Sequence, residues 1–166
     1  MGSVTIRSLI RKHRDRLDLC EEELCQVDNF VRDGSSGDLQ LTLFEIACVY
    51  GRAEVVRTHV VPSLKKMLLG KGCCSPSAIA IPYLMGLLPD SLFVDQSAFI
   101  ERILTYDETN TFPDAEILEA FRTNRLLLAK RAMDLHIGSG EIVIFDSAEN
   151  AVGSLREAAQ LLLGSS

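Results

Sequence analysis

The sequence lacks tryptophan, has only 6% aromatic residues, and contains no apolar run that approaches the roughly 20 residues needed to cross a bilayer. No apolar segment of the signal-peptide type follows Met1, because Arg7 comes almost at once. Apolar residues make up 47% of the chain and charged residues 24%, a balance that excludes a disordered polypeptide. We therefore expect an intracellular protein, cytoplasmic or nuclear, with no membrane partner.

Cysteines in disulfide or zinc spacing are also missing. The count is odd and includes an adjacent pair, which, without a signal peptide, favours reduced thiols. No paired metal-ligand spacing accompanies them, so we predict neither a structural disulfide nor a zinc site, and we expect most of these residues to be small members of the core. The five positions are Cys20, Cys25, Cys48, Cys73 and Cys74.

Recognisable catalytic chemistry is scarce. His59 stands beside Val60 in an apolar stretch, which favours a packed core histidine, and His136 lies near a predicted helix C-terminus, where a cation is favoured. His13 belongs to a basic segment. No nucleophile elbow occurs, and Gly138-Ser139-Gly140 is too short for a phosphate-binding loop. The sequence predicts no enzymatic activity and no cofactor.

Helical periodicity of the apolar residues runs through almost the whole chain and predicts an all-α domain that spans residues 1–166. Only the run Ile142–Phe145 has strong β character, and we interpret it as a buried connector or a spacer between helices. Loops are predicted at 33–38 and 70–76. The predicted helices cover 4–16, 20–32, 39–49, 53–60, 62–70, 76–88, 95–105, 113–135 and 152–163.

A short phrase that begins with a β-branched residue and proline occurs twice, at residues 61–69 and 81–89. Proline has a fixed φ and no N–H, so it suits the first turn of a helix. We therefore predict a helix start at Pro62, where the preceding helix breaks, and another at Pro82. The leucines expected to be buried behind these starts are Leu64, Leu68, Leu84 and Leu88.

Two stretches resemble helical repeats. Residues Thr42–Val56 are similar to the helix, glycine and helix pattern of an ankyrin repeat, although Leu43 and Glu45 replace the family's proline and histidine. The two proline phrases resemble helices of armadillo and HEAT repeats, in which an apolar-proline pair opens the helix that lines the concave face. These resemblances imply an α-solenoid-like stack of antiparallel helices.

The strongest charge feature is a basic stripe in the first predicted helix. Helical spacing places Arg7, Arg11 and Arg14 on nearly one line, and we take them as candidate partner-binding residues. A solvated face, or pairing with the acidic segment between Asp18 and Asp28, would explain the same pattern. The net charge of −6 disfavours nucleic acid as the main ligand, while an acidic peptide stays open.

Taken together, these features predict a protein–protein interaction module, a scaffold or adaptor that holds a partner peptide or helix in a groove between stacked helices. One alternative is a nucleic-acid-associated assembly factor that uses the basic first helix. Another is a small enzyme on an atypical helical fold. The two ends of the sequence, Met1-Gly2-Ser3 and an apolar helix followed by Ser165-Ser166, lead us to expect a domain excised from a longer protein.

Overall fold

All regular structure in the described part of the chain is helical, which confirms the all-α class. The computed structural model describes residues 5–34, 37–69, 79–106, 115–138 and 158–164. Within these ranges there is no strand, and no helix is both long enough and apolar enough to span a membrane. The run Ile142–Phe145, Cys73 and Cys74 lie outside them.

The chain forms two compact units, Met1–Lys66 and Met67–Ser166. We describe each unit by itself. The single-domain interpretation and the solenoid-like stacking of the helices stay predictions.

The first unit is built on three helices that pack against one another, α1 (Ile6–Arg14), α2 (Glu21–Asp33) and α3 (Gln40–Val49). A capping box starts α1, in which the Ser8 N–H donates to Thr5 Oγ1 at 3.1 Å and the Thr5 N–H donates to Ser8 Oγ at 3.2 Å. Gly34 ends α2 in the left-handed conformation, with φ of 70°. A 3₁₀ turn, Gly37–Leu39, leads into α3.

The core of this unit is apolar and is supplied by every helix of the trio. Helix α3 buries side chains around most of its circumference, whereas α1 and α2 bury one face each. The fully or almost fully buried residues include Leu9, Ile10, Leu24, Val27, Val31, Leu43, Phe44, Ile46, Ala47 and Cys48.

The predicted break at Pro62 is wrong. Helix α4 (Ala53–Val55) continues through a π-helical turn, Val56–Val60, directly into α5 (Val61–Leu69). The Val61 N–H donates to the carbonyl of Val56, five residues back. Proline lacks a donor and its ring clashes with the carbonyl four residues earlier in a regular α-helix, and the wider π turn relieves that conflict without ending the helix.

The second unit contains α6 (Ala80–Met85), α7 (Asp90–Asp95), α8 (Ser97–Leu104) and the 24-residue α9 (Ala115–Gly138). Helix α9 packs against both α6 and α8, and residues 158–164 are helical as well. Arg125 of α9 is buried, and its charge is accommodated by a 3.1 Å hydrogen bond to the Tyr106 carbonyl and by the Phe121 ring, whose centroid is 5.5 Å away.

The predictions about the two proline phrases are confirmed in part. Pro82 is the third residue of α6 and lies in the first turn of that helix, whereas Pro62 follows the π turn within a continuous helical segment. The four leucines behind them are all buried, with 2% exposure or less: Leu64, Leu68, Leu84 and Leu88.

Helix α7 was not predicted from the sequence. Asp95, expected to cap the next helix, is instead the last residue of α7, and Gln96 separates α7 from α8. Six residues are too few for a periodic pattern to stand out, although Pro89 followed by Asp90 is a favourable helix start. Leu92 and Phe93 of α7 are buried.

Candidate functional site

The predicted basic stripe lies on α1 with its side chains exposed. Arg7, Arg11 and Arg14 are all classed by their accessibility as exposed. None of the ion pairs between described residues includes them. Their role in partner binding stays a prediction, and the structure supplies the position of each.

Pairing between α1 and α2 does occur, but through a different cation. Lys12 Nζ lies 2.9 Å from Glu23 Oε2, and the Cys20 N–H donates to Glu23 Oε1 at 3.1 Å. The hydrogen bond from Lys12, followed by that from the Cys20 backbone, lowers the pKa of Glu23 to about 2. On the neighbouring face of α1, His13 Nε2 lies 3.5 Å from Glu45 Oε2.

Two more carboxylates of α2, Glu21 and Asp28, are held by Arg52, a residue that the sequence analysis did not single out. Its Nη2 donates to Asp28 Oδ2 at 2.7 Å, and its Nη1 donates to Glu21 at 3.0 Å. Bonding to Asp28 raises the pKa of Arg52, and Glu21 adds to the effect. Gly51, with φ of 65°, provides the left-handed turn after α3 that precedes Arg52. Gly51 and Arg52 are adjacent in the stretch that resembles an ankyrin repeat, and this pair is the sequence signal that could have identified Arg52.

The cysteines divide into two environments. Cys48 is buried, and desolvation raises the pKa of its thiol to about 12. Cys20 and Cys25 are exposed, so the expectation that most cysteines lie in the core is wrong for these two: Cys20 is the residue at which α2 starts, and Cys25 is on the exposed side of α2. Among the described residues, no three histidine, cysteine or acidic side chains are grouped closely enough to hold a metal ion.

The two histidines whose side chains the structure describes, His13 and His59, have separate surroundings. His59, predicted to be packed in the core, is only partly buried because the π turn carries it towards the surface, and its Nδ1 lies 2.8 Å from Thr58 Oγ1. Since the Thr58 hydroxyl donates to the Glu54 carbonyl at 2.7 Å, Nδ1 acts as the donor to Thr58. The side chain of His136 lies outside the described residues.

A groove of about 220 Å³ lies within the second unit, between α6 and α9. One wall is formed by α6 and the turn after it, and the other wall by successive turns of α9. No described histidine, cysteine or acidic residue lines the groove, and its volume is smaller than the roughly 300–1,000 Å³ of typical small-molecule sites. The lining residues are Pro82, Tyr83, Gly86, Leu87, Asn124, Leu127, Leu128 and Arg131.

Two polar side chains of α9 fix α6 at either end of this groove. Asn124 Nδ2 donates to the Ile79 carbonyl at 3.2 Å, where α6 begins. Two turns further along, Arg131 Nη1 donates to the Gly86 carbonyl at 2.6 Å, where α6 ends. Hydrogen bonds from α9 to the backbone at both ends of α6 therefore fix the two walls of the groove relative to each other.

The groove presents apolar groups to solvent above a buried floor. Pro82 and Leu128 are buried, whereas Tyr83 is 46% exposed and Leu127 is 61% exposed. The contrast between exposed Leu127 and buried Leu128 follows from helix geometry. Three consecutive leucines, at 126–128, span about 200° around a helix, so they cannot share one buried face.

Comparison with protein-family models, with curated proteins and with solved structures finds no match to this chain.

Proposed function

We propose that this protein is a protein–protein interaction module, a scaffold or adaptor of the helical-repeat type that resembles armadillo and HEAT proteins. The α6–α9 groove binds a large apolar side chain carried by a partner peptide or helix. The observation that supports this proposal is the pair Tyr83 and Leu127, which remain exposed beside a groove with a buried apolar floor.

The chemistry of the groove favours a protein ligand. An apolar side chain of a partner would contact Leu128 and Pro82 at the floor while covering Leu127 and Tyr83. Burial of a leucine-sized side chain is worth about 1.5–3 kcal/mol, and tyrosine is enriched among the residues that dominate binding energy at interfaces. Helical peptides use one or a few such anchors when they bind in grooves.

The α6–α9 groove is formed before any partner binds. Asn124 and Arg131 are each partly buried, and their hydrogen bonds to α6 already exist without a partner. A groove that does not need to be formed on binding costs less conformational entropy when it is filled. The same two residues would limit the site to about two turns of α9.

Selection from a displayed library of helical peptides tests this function. We expect the full chain to select peptides with a spaced large apolar residue. Leu127→Asp should abolish their binding by placing a charge in the groove. Gly86→Leu should do the same by filling it, since a Cβ there contacts only the Pro82 and Tyr83 carbonyls, at 3.4 Å.

The matched control is Val49→Asp, which changes another exposed apolar residue, 45% exposed, in the first unit. It should leave binding of the selected peptides unchanged. Peptides that bind Leu127→Asp and Gly86→Leu as well as they bind the unaltered protein would show that the groove is not the site.

A nucleic-acid-associated role remains a second candidate because the guanidinium groups of Arg7, Arg11 and Arg14 are exposed. A chain with net charge −6 has little long-range attraction for a polyanion. We expect negligible binding to a generic duplex even at low salt. Submicromolar binding at physiological salt, abolished when the three arginines are reversed to glutamate, would favour this candidate instead.

A further inference from the structure

We infer that the first unit carries a second interaction surface, formed by Arg7, Arg11, Arg14 and Arg16, which binds an acidic helical segment of a partner protein. We call these four residues the basic face. It belongs to a different compact unit from the α6–α9 groove and does not depend on that groove.

The cationic residues between positions 6 and 16 form two groups. Lys12 and His13 contact Glu23 and Glu45 and connect α1 to its neighbours. The four arginines of the basic face are exposed and take part in no ion pair found between described residues. Charges that stabilise a fold are paired with carboxylates of the same fold, so we infer that these arginines are not needed for the stability of the first unit.

Three of the five carboxylates of the neighbouring acidic helix α2 are already bound by cations outside the basic face. Glu21 and Asp28 are bound by Arg52, and Glu23 is bound by Lys12. Each of these pairs satisfies its carboxylate with a nearby cation. The positive charge of the basic face is therefore available to a ligand that brings its own negative groups.

The spacing of the arginines in the basic face matches the spacing of glutamates on a partner helix. Arg7, Arg11 and Arg14 follow an i, i+4, i+7 pattern on α1, so they span roughly 10 Å along one face. Glutamates with the same spacing on a partner helix form a parallel line of carboxylates. The planar guanidinium fork binds a carboxylate through two hydrogen bonds, which gives such a match directional specificity.

The end of α1 extends this surface. The Leu17 N–H donates to the Lys12 carbonyl at 2.9 Å and the Arg16 N–H donates to the His13 carbonyl at 3.1 Å, the bonding pattern that closes a helix with a left-handed residue. That residue is Arg16, with φ of 60°, where glycine is normally preferred. Next to it Leu17 is 54% exposed, which adds an apolar contact to the charged ones.

Charge complementarity favours an acidic protein segment over phosphate polymers or membranes. Asp15 and Asp18 are exposed within and beside the basic face. The closely spaced phosphates of a duplex, or an anionic bilayer surface, would meet these two carboxylates together with the arginines. A helix with discrete glutamates can place its charges opposite the arginines and leave Asp15 and Asp18 in solvent.

Fluorescence anisotropy with a labelled probe tests this inference. The probe is an alanine-rich helical peptide with glutamates at i, i+4 and i+7 and one leucine, compared with the same peptide carrying glutamines. At low ionic strength, where screening is weak, we expect the full chain to bind only the glutamate peptide. The triple variant Arg7→Gln, Arg11→Gln, Arg14→Gln should bind it roughly tenfold more weakly, as expected from the loss of three exposed ion pairs.

Two further variants distinguish the effect of the specific arginines from the effect of net charge alone. Changing Arg32, Lys66 and Arg102 to glutamine removes the same net charge from exposed positions elsewhere and should leave affinity within twofold of the unaltered protein. Changing Arg7, Arg11 and Arg14 to lysine keeps the charge and the fold but loses the fork, so its affinity should fall between the other two. Circular dichroism confirms that each variant keeps its helical content.

Three outcomes would overturn the inference. The glutamate peptide does not bind at low salt; the control variant weakens binding as much as the arginine variant does; or a DNA duplex or an anionic vesicle binds the same arginines more tightly than the peptide. Leu127→Asp should leave peptide binding at the basic face intact, so failure of the groove proposal is distinguishable from failure of this one.

Discussion

Arg131 of α9 closes the end of α6, because its Nη1 donates a 2.6 Å hydrogen bond to the carbonyl oxygen of Gly86, the residue at which α6 ends. Its Nη2 lies 3.1 Å from Asp90 Oδ1, and its guanidinium carbon lies 4.6 Å from the centroid of the Phe93 ring. One side chain of the long helix α9 therefore contacts the end of α6 and the start of α7, two helices of only six residues each.

Replacement of Arg131 by methionine should lower the free energy of unfolding by about 1–3 kcal/mol, because the Gly86 carbonyl loses a charged donor and Phe93 loses its cation contact. Urea denaturation measures the change. Asp90→Asn is the matched control. Asp90 is 77% exposed, so its removal should cost less than about 1 kcal/mol. Equal losses in both variants would show that the ion pair, rather than the carbonyl bond, joins these segments.

Truncation of Leu68 or Leu84 to alanine should destabilise the protein by about 2–5 kcal/mol, since both leucines are buried and the surrounding atoms collapse only partly into the space left behind. Leu127→Ala, on an exposed leucine, should change stability by less than about 0.5 kcal/mol. Thermal or urea unfolding of the three variants tests the ranking. A small loss at both sites would mean that the leucines of the two proline phrases contribute little to the stability of the fold.

Replacement of Arg16 by glycine should stabilise the protein by about 0.5–1 kcal/mol, because glycine adopts the left-handed conformation at this position without steric cost. The same substitution at Arg11, in the middle of α1, should destabilise by about 0.5–1 kcal/mol. Chemical denaturation measures the free energy of unfolding of both variants, and we expect it to rise for Arg16→Gly and to fall for Arg11→Gly. A destabilised Arg16→Gly variant would contradict the helix-closing role given to this residue.

The acid sensitivity of the first unit should depend on Glu23. Its pKa in the folded protein is about 2, below the ordinary value of 4.5, so the stabilisation is complete above pH 4.5 and is lost as the pH falls towards 2. In Glu23→Gln the free energy of unfolding should therefore vary less with pH across this window. Glu22→Gln, which changes an exposed neighbour without a capping contact, is the control and should behave like the unaltered protein.

The sequence predicted those parts of the fold that depend on residues near one another along the chain. The helices around Leu9, Val27 and Phe44 follow directly from local apolar spacing and recognisable caps. The continuous helix across Pro62 could not be predicted in the same way, because periodicity assumes α geometry and a π turn changes it. Helix α7 was too short for any periodic signal.

The candidate surfaces were predictable to different degrees. The exposure of the basic stripe could be predicted from the composition of the first helix and from its helical spacing alone. The stripe consists of Arg7, Arg11 and Arg14. The groove depends on Asn124 and Arg131 reaching backbone carbonyls about 45 residues earlier in the chain, and no local pattern specifies such a contact. The same limit applies to Arg52, whose carboxylate partners are on α2.

The π turn at Val56–Val60 also sets the rotational phase of helix α5. It holds one residue more than an α-helical turn would, so side chains after it are rotated by about 100° relative to an uninterrupted α-helix from Ala53. Leu64 and Leu68 follow the π turn and are buried in the resulting orientation. Deletion of one residue between 56 and 60 would turn both leucines away from the core and bring the Pro62 ring against a carbonyl, so this segment should tolerate substitutions far better than changes in length.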